Sequence, residues 1–293
     1  MSYPEFGDIP ALAAALDAAG YLPDEGVATA AYLAIRMRRP LLLEGDPGVG
    51  KTALAQALAD VVGAELVRLP CYEGIDASQA LYDWDFPRQL LHLRAAEGGG
   101  DDERSVYDRR FLIARPILRA LELSPAVLLV DEIDRADDEF EAFLLEVLAD
   151  NAVTIPELGT IRPAEPPIVV LTSNRTRELH DALKRRCLYH WVDYPNAERE
   201  LAIVKSRVPD ISAKLSQQVV RFVQALRDQD FYKSPGVAET IDWATALTEL
   251  DARSLTPQMV GDTLGALLKY QDDIARMQGD QLQKVIKDAT SET

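Results

Sequence analysis

One octet constrains this chain more than any other feature. Residues Gly45-Asp46-Pro47-Gly48-Val49-Gly50-Lys51-Thr52 spell the pattern G-x-x-x-x-G-K-[ST] in full. They follow the apolar run Leu41-Leu42-Leu43 and open a helical pattern from Ala53 to Val62. Strand, glycine loop and helix in that order are the context the pattern requires. The glycines let the backbone bend until its N–H groups converge on phosphate oxygens, and the helix N-terminus adds its positive dipole end there. The candidate nucleotide-binding residues are therefore Gly45, Asp46, Pro47, Gly48, Val49, Gly50, Lys51, Thr52 and Ala53. Lys51 is placed to reach the β and γ phosphates, and the Thr52 hydroxyl to ligate Mg²⁺. These residues imply a nucleoside triphosphate held with Mg²⁺.

The spacing of apolar runs predicts an α/β fold. Strand candidates are Pro40–Glu44, Glu65–Pro70, Ala126–Asp131, Ile168–Ser173 and Leu188–Val192. The third and fourth are almost continuously apolar, as strands buried on both faces are. Asp137–Asp150 carries Phe140, Phe143, Leu144, Val147 and Leu148 at helical spacing. Two stretches exceed a minimal sheet. Asp76–Phe111 includes the glycine and acid tract Gly98–Glu103, which reads as a flexible tip. Val153–Ile161 reads as a projecting hairpin. After Pro195 the pattern is helical only, over Ser212–Arg227, Val237–Leu250 and a helix capped by Thr256-Pro257. The expected division is an α/β nucleotide-binding domain over 1–195 and a small α-helical domain over 196–293.

The third strand ends in Asp131-Glu132. Asp131 is the candidate holder of Mg²⁺ through its water shell, and Glu132 the candidate base for an attacking water. The fourth strand ends at Asn174, a candidate bridge between the γ phosphate and that water. Arg185 and Arg186 end a short helical pattern; they read either as a solvated basic helix end or as an arginine finger supplied to a neighbouring molecule.

Composition limits the alternatives. A formal net charge of −17 opposes a polyanion track, so nucleic acid is not the expected partner. There is no 18-residue apolar run, so no membrane span is expected, and the acidic start lacks a signal pattern; the expected location is cytoplasmic. Cys71 and Cys187 have no zinc spacing and read as unpaired thiols. His92, His180 and His190 are scattered and build no metal site.

Taken in order, the phosphate loop, Asp131-Glu132, Asn174, the arginine pair and the helical tail resemble an AAA+ ATPase. Arg39–Gly45, Asp131–Ala136, Leu183–Arg186 and Glu239–Trp243 resemble more narrowly the MoxR branch, and within it the CoxD-like group. The resemblance implies a P-loop AAA+ core with a five-stranded parallel sheet in the order 5-1-4-3-2, followed by a small all-α lid domain. It makes the segment of about 76–111 the helix-2 insert and that of about 153–161 the pre-sensor-1 hairpin. It sets Arg185 on the finger position and Arg186 on a position where many relatives carry an aromatic. It implies ATP with Mg²⁺ and a homo-oligomeric ring, commonly a hexamer. It also implies a remodelling chaperone acting on a protein client, often beside a partner with a von Willebrand factor A domain, in maturation or cofactor or metal insertion of enzymes. One departure concerns sensor 2: Ser234-Pro235 is followed by Gly236-Val237 where many relatives carry an arginine, and Lys233 lies close by. Two other classes share the phosphate loop: a nucleic-acid-associated motor or GTP-dependent nuclease subunit, and a small-molecule kinase. The first needs bases that Val153–Ile161, with Glu157, does not supply, and the second works as a monomer. Phosphate contacts alone do not read adenine from guanine.

Overall fold

The computed structural model describes residues 3–96 and 106–290. The chain forms two compact units. The first holds Met1–Ala19, Pro23–Glu44 and Thr52–Trp191; the second holds Gly20–Leu22, Gly45–Lys51 and Val192–Thr293.

In chain order the strands of the first unit are β1 (Leu41–Glu44), β2 (Glu65–Pro70), β3 (Tyr82–Trp84), β4 (Leu112–Ala114), β5 (Ala126–Asp131), β6 (Val153–Ile155), β7 (Gly159–Ile161), β8 (Ile168–Ser173) and β9 (Leu188–Trp191). Five form a parallel sheet in the order β2-β5-β8-β1-β9. Numbered among themselves and taken from the β9 edge, the five run 5-1-4-3-2. The labels differ because β3, β4, β6 and β7 belong to two separate antiparallel pairs.

The hydropathy of each strand matches its place. β1, β5 and β8 are buried at every residue, as central strands covered on both faces are. β2 and β9, at the edges, keep exposed positions. Leu42, Leu128, Val130 and Leu171 pack with Ile117 and Leu118 of helix Pro116–Glu122 and with Phe140 and Leu144 of helix Asp138–Asp150. Asp137 caps the latter, accepting the Phe140 N–H at 2.9 Å. Val130 pairs with Leu171 and Glu44 with Ser173, so the sheet's carboxyl ends line up with acids and hydroxyls at adjacent strand ends.

Between β2 and β5 lies the additional segment. Asp76 and Gln79 form a capping box on helix Ala77–Ala80, β3 pairs with β4, and helix Phe86–Ala96 runs between them. The expected tip, Gly98–Glu103, lies outside the described residues. Val153–Ile161 forms the hairpin β6–β7.

In the second unit, helices Ala197–Arg207, Ala213–Arg227, Val237–Glu249, Pro257–Thr263, Gln271–Arg276 and Gly279–Thr290 surround Phe222, Trp243, Val219, Val223 and Leu247. Asn196, Ser212 and Thr256 cap three of them through side-chain oxygens. A buried ion pair ties two helices: Arg227 holds both oxygens of Glu200, at 2.6 and 2.7 Å, and Thr240 donates to the same carboxylate at 2.8 Å.

Candidate nucleotide site

The glycine loop is shaped by its neighbours in the second unit. Gly48 has φ +82°, a conformation that disfavours a side chain. At Gly45 a Cβ would lie 2.4 Å from the Val192 carbonyl oxygen, so only glycine fits. The Ala238 N–H donates to the Gly48 carbonyl at 3.1 Å, which sets the start of helix Val237–Glu249 against the loop. The approach is close: a Cβ on Gly236 would meet the Pro47 carbonyl at 2.8 Å and Gly48 Cα at 2.9 Å. The residue after Ser234-Pro235 must therefore be small here. Lys51 is buried, and its Nζ donates to the carbonyls of Gly45 at 2.7 Å and Asp46 at 2.8 Å. Burial, followed by the Asp46 charge and hydrogen bond, raises the Tyr194 hydroxyl above the ordinary tyrosine range, so it stays a donor. The Arg227 guanidinium stacks 4.5 Å from the centre of the same ring.

The acids gather at the carboxyl ends of β5 and β8 in the first unit. Asp131 is buried and fully engaged. Oδ1 accepts the hydroxyls of Thr52 at 3.0 Å and Thr172 at 2.7 Å, while Oδ2 accepts Nε and Nη2 of Arg68 at 2.9 and 2.5 Å. Glu132 has φ +57°, a left-handed conformation costly for a non-glycine residue. Its N–H donates to Thr172 Oγ1 at 2.9 Å, which anchors the turn. Its carboxylate accepts the Asn174 amide at 3.2 Å and pairs with Arg135 Nε at 2.8 Å. Asp134, also buried, accepts the Asn174 N–H at 3.2 Å and both the N–H and hydroxyl of Thr176 at 2.8 Å. It holds the segment after β8 to the segment after β5.

The fold therefore brings Thr52, Asp131, Glu132 and Asn174 together, although 122 positions separate the first from the last. Four contributors are given no role by sequence reasoning: Arg68, Thr172, and Asp134 and Arg135, which lie within the singled-out stretch Asp131–Ala136. Arg68 left one trace, a cation inside the otherwise apolar stretch Leu66-Val67-Arg68-Leu69. Arg185 and Arg186 are exposed in the last turn of helix Asp181–Arg186, and Arg39 steadies that end by donating to the carbonyls of Arg185, Arg186 and Cys187. Lys233 stands in a turn whose amides, with that of Tyr232, donate to Asp273.

Thr52 and Asp131 offer hard oxygen donors to a cation. That set suits Mg²⁺, which keeps waters and substrate phosphates in most of its shell. Among the described residues no group of three or more His, Cys, Asp or Glu side chains is arranged to hold a metal, so a protein-enclosed zinc-type site is not built from them. Cys71 and Cys187 are free and buried; burial pushes both thiols up to about 12, which leaves them unreactive. Among the described residues no helix is long and apolar enough to cross a membrane.

A parallel sheet in this order, with a glycine loop after β1 and an acid pair ending β5, defines a P-loop α/β protein of the AAA class. The family model "AAA domain (dynein-related subfamily)" matches residues 40–187, and the chain belongs to that family. A 48-residue stretch is 54% identical to midasin of Giardia intestinalis, covering 16% of this chain and 1% of midasin. An uncharacterised protein of Staphylococcus aureus is 24% identical over 197 residues, 65% of this chain and 69% of that protein. A solved proline-to-glycine variant of RuvB from Thermotoga maritima superimposes with a TM-score of 0.51 at 19% identity, over 85% of this chain and 70% of that one. That likeness concerns the fold alone.

Proposed function

We propose that this chain is an ATP-hydrolysing AAA+ protein of the MoxR branch, CoxD-like group. In this reading it assembles into a homo-oligomeric ring, a hexamer, and remodels a protein client. It acts with a partner bearing a von Willebrand factor A domain, in maturation or cofactor or metal insertion of an enzyme. The observation that carries the hydrolytic part is the meeting of Thr52 with Asp131 at 3.0 Å and of Asn174 with Glu132 at 3.2 Å. A purely structural turn has no need of a motif threonine, two strand-end acids and an amide in one hydrogen-bonded set. The exposed Arg185 supports a finger acting in a neighbouring subunit. The exposed apolar side chains Phe86, Leu90, Leu91 and Leu93 support a protein-facing role for the insert.

The residues divide the work as follows. The amides of Gly45–Thr52 and the Lys51 ammonium bind the phosphates and neutralise their charge. Thr52 and Asp131 hold Mg²⁺, which when bound supplies further neutralisation of the phosphate oxygens. Glu132 takes the proton of the attacking water, and Asn174, bonded to Glu132, keeps that carboxylate and the water in line. Arg185 of a neighbouring subunit meets the charge that develops on the transferring phosphoryl group.

The test is Glu132→Gln. The amide keeps the shape and loses the basicity. The variant is expected to bind ATP with near-normal affinity and to hydrolyse it at least ~100-fold more slowly, the size of a lost general base. With ATP it becomes a trap whose captured proteins identify client and partner. Near-normal phosphate release from this variant overturns the reading.

A further inference from the structure

Arg68 is absent from every role assigned above, yet it makes a two-pronged contact with Asp131. It lies on the edge strand β2 opposite Leu129, two residues before Asp131, and so on the same face of the sheet. From there its guanidinium closes on Oδ2 of Asp131 through Nε at 2.9 Å and Nη2 at 2.5 Å. With the Thr52 and Thr172 hydroxyls on Oδ1, the carboxylate accepts four hydrogen bonds, about the full capacity of its lone pairs. The two partners differ sharply in burial. The Asp131 side chain is 4% exposed and the Arg68 side chain 59%. The acid is fixed; the arginine can leave into solvent.

We infer that Arg68 is a positioning residue that competes with the divalent cation for Asp131 and thereby sets the cation affinity of the site. This rests on the nucleotide reading given above. A cation approaching Oδ2, directly or through its water shell, must displace the two guanidinium N–H groups, and a guanidinium left beside it repels it. The exchange is one charge-assisted pair for another, so the arginine stabilises the cation-free carboxylate and weakens cation binding. The nearby Arg135 pairs with Glu132 and not with Asp131, so it does not duplicate this effect.

The test measures metal binding and not turnover. Mn²⁺ is titrated into the full chain with ADP and followed by electron paramagnetic resonance, for the native protein, Arg68→Ala, Arg68→Lys and Asp131→Asn. ADP affinity in EDTA is measured in parallel. Arg68→Ala is expected to bind Mn²⁺ ~10-fold or more tightly, the size of one charge-assisted pair, with metal-free ADP affinity unchanged. Arg68→Lys, which keeps the charge and loses the fork, falls between, and it decides the matter if the alanine variant fails to fold. Unchanged or weaker Mn²⁺ binding in a folded Arg68 variant, while Asp131→Asn still abolishes it, overturns the role of Arg68 alone. ADP-dependent Mn²⁺ binding that is missing from the native protein, or indifferent to Asp131→Asn, overturns the nucleotide reading and this inference together.

Discussion

Asp134 shows how much of a site can hang on a residue without a catalytic part. One of its oxygens accepts three donors from the segment after β8, among them the backbone N–H of Asn174. Its own carboxylate is almost wholly buried. Asp134→Ala removes three hydrogen bonds whose donors, on half-buried Asn174 and exposed Thr176, water can in part satisfy, so the cost is about 1 kcal/mol, that of an ordinary hydrogen bond. The expected result is a clear loss of stability in chemical denaturation, together with slowed hydrolysis as Asn174 drifts from Glu132. Asp134→Asn, which keeps one acceptor oxygen, is expected to fall between. Equal stability of native and alanine proteins removes the bracing role. The same scale explains why sequence reasoning singled out the candidate acids but not their support. Asp131-Glu132 follow an apolar run and a phosphate motif, whereas nothing local to Asp134, Thr172 or Arg68 says which strand end each faces.

Elements fit one another here through close backbone approach. Helix Val237–Glu249 begins against the glycine loop, with the Ala238 N–H on the Gly48 carbonyl. Glu239 turns back to accept the Gly236 N–H at 3.0 Å, so the first turn is satisfied from within. A methyl group on Gly236 meets backbone at 2.8 and 2.9 Å, not a flexible side-chain end alone. Gly236→Ala is therefore expected to cost about 1–3 kcal/mol, as overpacking does, and to weaken nucleotide binding by shifting the loop. Thermal unfolding and calorimetry with ATP check both, and an unshifted melting point with native affinity refutes the argument. Periodicity predicts this helix, the hairpin β6–β7 and the capped helix Asp138–Asp150 to within a residue or two, because burial on one face is written locally. The packing of Gly236 on the loop is a contact across about 190 positions, and its sequence trace was only a missing arginine.

At the scale of the whole molecule the proposal makes the catalytic site composite. Arg185 sits exposed in the last turn of helix Asp181–Arg186. If it completes a neighbour's site, Arg185→Ala binds ATP and hardly hydrolyses it, since a finger is worth ~10³–10⁵ in rate. Lys51→Ala is inactive for the opposite reason, loss of nucleotide. Mixed in one ring, the two variants create interfaces that pair an intact loop with an intact arginine, and part of the activity returns. The measurement is steady-state phosphate release from mixtures that sizing shows to be mixed rings. No recovery in those rings refutes a finger acting between subunits. A net charge of −17 gives such a ring a repulsive cost at low ionic strength, so added salt is expected to favour its assembly.

The sequence by itself determined the phosphate loop, the five sheet strands, the acid pair and the helical character of the tail. Each is a local statement: a motif of fixed spacing, an apolar run, a 3.6-residue period. The strand order is implied by the family resemblance and by no local pattern, and tertiary structure alone decided the partners of each acid. Strand order places β8 beside β5, so Thr172 and Asn174 reach Asp131 and Glu132. It places β2 on the other side of β5, so Arg68 reaches Asp131. Sheet pairing joins residues far apart in the chain, and a buried carboxylate must then be satisfied by whatever donors that pairing delivers.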